Sequence, residues 1–553
     1  MQGQGGKEVA EAIFAAINPG RPVKASAGRE LLETITSGMY SNPLMSIREY
    51  IQNASDAVDK AVAAGLLAPG DERICVSVSG RNRTITVEDN GCGIPLRRVE
   101  RLLCSLGCSE KRSFIHRGFR GIGRLGGLAY CKRLVFATRA SHTEAVTEIE
   151  WNGSQLSKVV DDTDDSADLT SAVAELARIR TRKAATNEPA HFFRVTMEGV
   201  SRFYDDSLLN MEALRRYLGL VAPVPYDKIK FTFSDQVQDH LAGVPGWRSY
   251  RVYLNGCQVL KPYKDEVRFG ETNSDYITGV ELFEINDVDG SLVGRGWYAL
   301  TGLLGAIPRI EPARGIHVRQ GNIEVGDEHF LKQVFAEHRF AVWHVGEIEL
   351  VRTVRPNARR DGFEQTPGHE RLLAYMSLLG RKLSFQCRAA SQRRNQKRRL
   401  VCILDKVEQL ISDFPIYIDH DHAVSVVNKA SMLLSKVRTA ALDGMKDMEI
   451  GKRYDGLSRM LHIVQKRPLL IPDCIDGRLL GKGCTKSFLE DICRRVIDTC
   501  GTDEIAMTVL SRILTPYLKG DFGGLRRGRK NDDVHRAITC GPPQLSYQMK
   551  PAR

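Results

Sequence analysis

The run Arg48-Glu49-Tyr50-Ile51-Gln52-Asn53-Ala54-Ser55-Asp56-Ala57-Val58-Asp59-Lys60 constrains this chain more than any other segment. Glu49, Asn53 and Asp56 stand at i, i+4 and i+7, so on a helix they share one face, while Ile51, Ala54, Ala57 and Val58 supply the apolar side. A carboxylate and a carboxamide one turn apart can hold a water and a hard cation, which suits hydrolysis of a metal-bound phosphate. The same spacing also suits a helix whose polar side is merely solvated. The rest of the chain has to decide between the two.

Thirty residues on, Ile74, Val76 and Val78 alternate with polar residues, Ser79 to Arg83 make a turn, and Thr84-Ile85-Thr86-Val87 resumes the alternation, so a β-hairpin is predicted. Its second strand runs into Glu88-Asp89-Asn90-Gly91-Cys92-Gly93. An acid at a strand end followed by spaced glycines sets a carboxylate beside backbone that a flat ligand can approach closely. Gly118-Phe119-Arg120-Gly121-Ile122-Gly123 then frees backbone N–H groups to meet anionic oxygens. Between the two lie Ser109 and Lys111, residue types that meet phosphate. The glycine loop is not the dinucleotide fingerprint, because no strand opening a βαβ unit precedes it, and it is not a Walker A loop, because no Gly-Lys-Ser/Thr follows.

The order of these elements resembles the Bergerat-fold or GHKL ATPases: Glu-x-x-x-Asn on a helix, strand-Asp-x-Gly-x-Gly, Gly-x-Ser-x-Lys, then Gly-x-x-Gly-x-Gly. Within that superfamily, Tyr40-Ser41-Asn42, Arg48-Glu49 and Asn53-Ala54-Ser55-Asp56-Ala57 with Asp59-Lys60 most resemble the heat shock protein 90 chaperones. The similarity is dense from about Ser26 to Ala140 and traceable to about Glu364. The resemblance implies that Glu49 is the general base, that Asn53 holds magnesium against ATP, and that Asp56 supports the nucleotide. Asp89 would accept the adenine amino hydrogen, with Gly91 and Gly93 near the base. Gly118, Gly121 and Gly123 would close over the phosphates, and Ser109 and Lys111 would belong to a mobile lid. Such a set is coherent for phosphoryl transfer, which needs positioning and charge neutralisation.

Val354-Arg355-Pro356-Asn357-Ala358-Arg359-Arg360-Asp361 resembles the middle-domain stretch that presents an arginine to the γ-phosphate in the same chaperones, with Asn357 and Arg360 at the matching positions. The alternative for Arg359-Arg360 is a solvated basic turn. Two departures stand out. Arg120 and Arg124 replace aromatic residues in the glycine loop, and Ala190-His191-Phe192-Phe193-Arg194-Val195-Thr196 lacks the superfamily's Gly-Thr pair. With His191 in the threonine's place, a hydroxyl behind the adenine is lost or comes from Thr196.

At 553 residues the chain should make three to four domains of roughly 100–200 residues each. The expected class is α/β: an extension over 1–24, a Bergerat-fold α/β sandwich over 25–204, an α/β middle domain over 205–385 and a mostly α-helical C-terminal domain over 386–553. Strands are expected around Ile229-Phe233, Tyr250-Leu254 and Val280-Ile285, and helices over Leu400-Ile411, Ala423-Asp443 and Ser487-Cys500. The 13 cysteines are scattered without Cys-x-x-Cys, which fits a reduced protein. Neither a signal peptide nor a membrane-spanning run is read, so the cytoplasm is the expected location and no membrane partner is expected.

The net charge of +12 gathers in Arg381-Lys382, Arg388, Arg393-Arg394, Lys397-Arg398-Arg399 and Arg526-Arg527-Gly528-Arg529-Lys530. Such clusters attract anionic partners, nucleic acid included. Met549 to Arg553 lacks the acidic tail of eukaryotic cytosolic heat shock protein 90, which points to a bacterial-type member. Two functions follow: an ATP-driven chaperone clamp, dimeric through its C-terminal helices and acting on protein clients, or a GHKL ATPase acting on nucleic acid, as MutL- or MORC-type proteins do.

Overall fold

The computed structural model describes residues 28, 31–36, 38, 40, 42–105, 123–161, 168–202, 206–412, 420–442 and 447–466. The chain divides into two compact units, Met1–Ala390 and Ser391–Arg553. Both α/β layers lie in the first, and the described part of the second is helical.

Helix α1 (Leu44–Ala63) starts where the side chain of Asn42 accepts the amide of Leu44 at 3.0 Å and Pro43 presets the first turn. It is buried on far more than one side, since Arg48, Glu49, Gln52, Ser55 and Asp56 are enclosed along with Ile47, Ile51, Ala54 and Val58. The alternative of a merely solvated polar face therefore fails.

The predicted hairpin is β1 (Arg73–Ser79) and β2 (Thr84–Asp89), antiparallel with Ile74 opposite Asp89 and Val76 opposite Val87. With β3 (Cys131–Arg139), β4 (Ala145–Asn152), β5 (Ala177–Lys183), β6 (Phe192–Val200), β7 (Arg251–Leu254) and β8 (Cys257–Gln258) it builds one sheet in the order β5-β4-β3-β6-β2-β1-β7-β8. The alternation places Ile74, Val76, Ile85 and Val87 on one face, where they share a core with Ile47, Ile51, Ala54 and Val58 of α1. The sheet does not stop at residue 204: β7 pairs parallel with β1, and Leu214, Leu218, Val252 and Leu254 join the same core.

A short ribbon of β9 (Glu266–Arg268) and β10 (Ser274–Tyr276) precedes a second sheet. That sheet comprises β11 (Gly279–Asn286), β12 (Leu292–Leu300), β13 (Gly315–Gln320), β14 (Ile323–Val325) and β15 (Val345–Leu350), in the order β11-β12-β15-β13-β14. The expected strands near Tyr250 and Val280 are β7 and β11. The strand expected at Ile229-Phe233 is a turn instead. The Asp227 side chain accepts the amides of Ile229 (3.0 Å) and Lys230 (3.2 Å), and the Phe231 amide returns to the Asp227 carbonyl. A side chain that captures nearby amides competes with a sheet ladder. Ile229 is consequently 95% exposed and Phe231 0%, which a shared strand face would not allow.

Beneath the second sheet lies a fully buried charged cluster. Lys261 reaches Glu347 at 2.7 Å, Arg319 and Tyr226 bind the same carboxylate, and the Asn322 amide donates to Glu349. Burial depresses Lys261 to about 7 despite Glu347, and Arg319 and Lys261 hold Glu347 down at about 2 against the opposing effect of burial. The backbone of the neighbouring segment is tied in as well, since Arg319 donates to the Leu220 carbonyl and Asn322 to that of Arg248 (3.0 Å).

Helix α2 (Pro367–Ser412) continues into the second unit. There its residues Leu400, Leu404 and Val407 pack with Ala430, Leu434 and Val437 of α3 (His420–Leu442) and Ile450, Leu457 and Leu461 of α4 (Met448–Lys466). The helices read at Leu400-Ile411 and from Ala423 are present, and that at Ser487-Cys500 lies outside the described residues. Among the described residues no helix is long and apolar enough to cross a membrane, and the described cysteines are free.

Candidate nucleotide site

Glu49, Asn53 and Asp56 project from α1 along one stripe, Glu49 and Asp56 buried and Asn53 half-buried. Asp89 ends β2 on the face turned toward α1 and is 3% exposed. Its Oδ1 accepts the Gly91 amide at 2.8 Å. A Cβ on Gly91 would lie 2.6 Å from that carboxylate and 2.7 Å from the Ala57 backbone, so only glycine lets the loop pass between Asp89 and the helix. Gly93 has φ +63°, and a Cβ there would strike the Arg139 carbonyl. The Asp-x-Gly-x-Gly spacing is thus a packing requirement that brings Asp89 to the turn of α1 following Asn53.

Gly123 closes the other end of the stripe. A Cβ on it would stand 2.5 Å from Glu49 Oε2 and 2.9 Å from the Tyr40 hydroxyl. The Gly127 amide donates to the Tyr50 hydroxyl at 3.1 Å, and burial pushes the nearby Cys131 thiol up to about 12. Ser109, Lys111, Gly118 and Gly121, with Arg120, lie outside the described residues. Arg124 turns its guanidinium to the Ser105 carbonyl at 2.5 Å.

Among the described residues no group of three or more His, Cys, Asp or Glu side chains converges to hold a metal. A divalent cation here would take one or two protein donors and complete its shell from phosphate oxygens and water, which is how Mg2+ binds. The half-buried carboxamide of Asn53, between two buried carboxylates, fits that donor set.

Residues 40–186 match the family model described as histidine kinase-, DNA gyrase B- and HSP90-like ATPase. This segment is similar to the ATPase domains of that family. Chaperone protein HtpG of Acinetobacter baylyi is 29% identical over 140 residues, and those of Pectobacterium atrosepticum and Coxiella burnetii are each 30% identical over 141. Each alignment covers 22% of this chain and 22% of the relative, so the chain spans about a fifth of the length of the curated relatives it matches.

The register of the first sheet places the candidate hydroxyls relative to Asp89. Thr196 pairs with Thr86 and its hydroxyl meets that of Thr86 at 3.3 Å, on the face opposite Asp89. Thr138 shares a row with Phe193 and Asp89 and faces the Asp89 side, 1% exposed. It accepts the Ile94 amide at 2.9 Å and donates to the Phe192 carbonyl at 3.0 Å. His191 donates through Nδ1 to the Gly91 carbonyl at 2.8 Å, fastening the loop that follows Asp89. A cavity of about 220 Å³ lined by Arg73, Cys75, Glu88, Asp89 and His191 opens at the strand ends.

Arg360 lies beyond the matched segment, yet reaches α1. It is 4% exposed, and its Nη1 donates to Gln52 Oε1 at 3.2 Å, while Arg48 donates to the Arg359 carbonyl at 2.8 Å. The solvated basic turn is therefore excluded for Arg360, while Arg359 is exposed. Asn357 closes the turn, donating to Asp361 at 2.5 Å and accepting its amide at 3.2 Å. Sequence reasoning missed Gln52, Thr138 and the backbone contact of Arg48. Gln52 carried a usable signal, since it falls three residues after Glu49 and extends the same polar stripe.

Proposed function

We propose that this chain is an ATP-binding and ATP-hydrolysing molecular clamp of the heat shock protein 90 kind, working on protein clients in the cytoplasm. Its working parts are an extension over 1–24, the ATP domain over 25–204 with its sheet carried on by β7 and β8, a middle domain over 205–385 that lends those strands, and a C-terminal region over 386–553 through which two copies pair. Glu49 takes a proton from the attacking water, whose oxygen bonds to the γ-phosphorus as the bond to the β–γ bridging oxygen breaks and ADP leaves. Asn53 holds magnesium against the phosphates, which supplies charge neutralisation. Asp89 accepts the adenine amino hydrogen beside Gly91 and Gly93, Asp56 supports it, and Gly118, Gly121 and Gly123 with Ser109 and Lys111 enclose the phosphates.

The observation that carries this reading is the burial of Arg360 against Gln52 on the helix that bears Glu49 and Asn53. A guanidinium brought from a distant segment to the phosphate end of the site makes hydrolysis depend on docking of that segment. A second reading, a GHKL ATPase acting on nucleic acid, draws support from exposed Arg381 and Lys382 in the first unit and Arg398 and Arg399 in the second. ATPase measurements of the pure chain with duplex DNA, RNA and an unfolded protein side by side test both. Stimulation by nucleic acid alone favours the second reading, and ATP-dependent suppression of client aggregation favours the first.

A further inference from the structure

Tyr40 is buried to 3% exposure, yet its hydroxyl has no hydrogen-bond partner among the described residues. Its place is otherwise well fixed. The backbone carbonyl accepts the Tyr130 hydroxyl at 2.8 Å, and the ring lies so close on Gly126 that a Cβ there would strike it. A phenylalanine would fill that space equally well without the cost of an enclosed, unsatisfied hydroxyl.

What the hydroxyl faces gives it a use. Tyr40 Oη and Glu49 Oε2 flank one point beside the Gly123 Cα, at 2.9 and 2.5 Å from a Cβ built there. The two oxygens are therefore close enough for a single water to bridge them with ordinary hydrogen bonds of roughly 2.7–3.0 Å each. Burial first, and the Glu49 carboxylate second, push the Tyr40 phenol well above its ordinary value. It stays neutral and adds no like charge beside Glu49.

We infer that Tyr40 is a positioning residue of the hydrolytic step: the attacking water donates one hydrogen to Glu49 and the other to Tyr40 Oη, which leaves its lone pair aimed at the γ-phosphorus. The proton released on attack goes to Glu49, and Tyr40 keeps its own. The inference rests on the reading of Glu49 as the base.

Tyr40→Phe in the full chain tests it through steady-state ATPase, affinity for a non-hydrolysable ATP analogue and thermal melting. The expected result is a kcat about tenfold lower, with KM, analogue affinity and melting temperature unchanged. A kcat within about twofold of the parent overturns the inference, and so does a parallel loss of analogue affinity, which would make the ring a packing element. Glu49→Ala run alongside separates the two claims. If it is inactive while Tyr40→Phe is fully active, only Tyr40 is rejected, and if it hydrolyses ATP at the parent rate, the proposed base and this inference fall together.

Discussion

Arg360 and Gln52 are 308 positions apart and share a hydrogen bond of 3.2 Å inside the first unit. The adjacent contact, Arg48 to the Arg359 carbonyl, is made by the neighbour of Glu49. The turn itself is anchored from the second sheet, where the Gly326 amide at the end of β14 donates to the Arg360 carbonyl at 2.8 Å. One short turn thus ties the second sheet to the helix that carries the proposed base and magnesium ligand.

Arg360→Ala should lower turnover by about 100-fold or more while leaving ATP affinity intact, because a charge supplied to the transition state contributes to rate more than to ground-state binding. Gln52→Ala should lower turnover by about three- to tenfold, and should add nothing in the Arg360→Ala background if its whole effect passes through that guanidinium. Steady-state kinetics of the four proteins reads the cycle. A larger effect of Arg360→Ala on affinity than on turnover would give this arginine another role.

Glu49→Ala should bind ATP and fail to hydrolyse it, and Asp89→Asn should lose binding. An asparagine presents an N–H where the carboxylate oxygen accepts, leaving the Gly91 amide or the adenine amine without its acceptor. Titration with a fluorescent ATP analogue distinguishes the two variants. Parent affinity in Asp89→Asn would reject its place at the adenine.

The parts of this architecture that could be read in advance are those encoded by local period. The stripe of α1, the β1–β2 hairpin and the glycines after Asp89 all act over a few residues, and their spacing is their geometry. Ile229-Phe233 misled because its alternation was genuine, while Asp227 took the amides that a strand would have used. The Arg360–Gln52 contact and the side of the sheet on which Thr138 and Thr196 stand depend on strand order and register, which no single segment carries. The buried cluster around Glu347 was equally hidden. Glu347 and Glu349 alternate with glycine and isoleucine in a strand buried on both faces, so alternation there does not separate core from solvent.

Glu347→Ala should destabilise the first unit by about 3–5 kcal/mol, because Lys261 and Arg319 would remain fully buried without their shared carboxylate. Chemical denaturation checks this, and a loss under about 1 kcal/mol would mean that water reaches the cluster.

Glu349 gives a prediction with a definite sign. Burial outweighs the Asn322 amide and the cations Lys261 and Arg319, and raises its carboxyl to about 7 from the ordinary 4.5. Between those values the folded chain keeps a proton that the unfolded chain has lost. The stability linked to this group is therefore fully present below 4.5 and is lost as pH rises through 7. Glu349→Gln keeps an oxygen to accept the Asn322 amide, carries no charge at any pH and escapes that loss. Its melting temperature should match the parent at about pH 4.5 and exceed it by about 2 °C or more at about pH 8. Lys261, whose own depression to about 7 acts with the opposite sign, is held up in part by the Glu349 charge, so the comparison at matched pH reads Glu349 together with its coupling to Lys261. A variant that melts below the parent at pH 8 would show that the ionised carboxylate is stabilised in place and that the buried cations outweigh its desolvation.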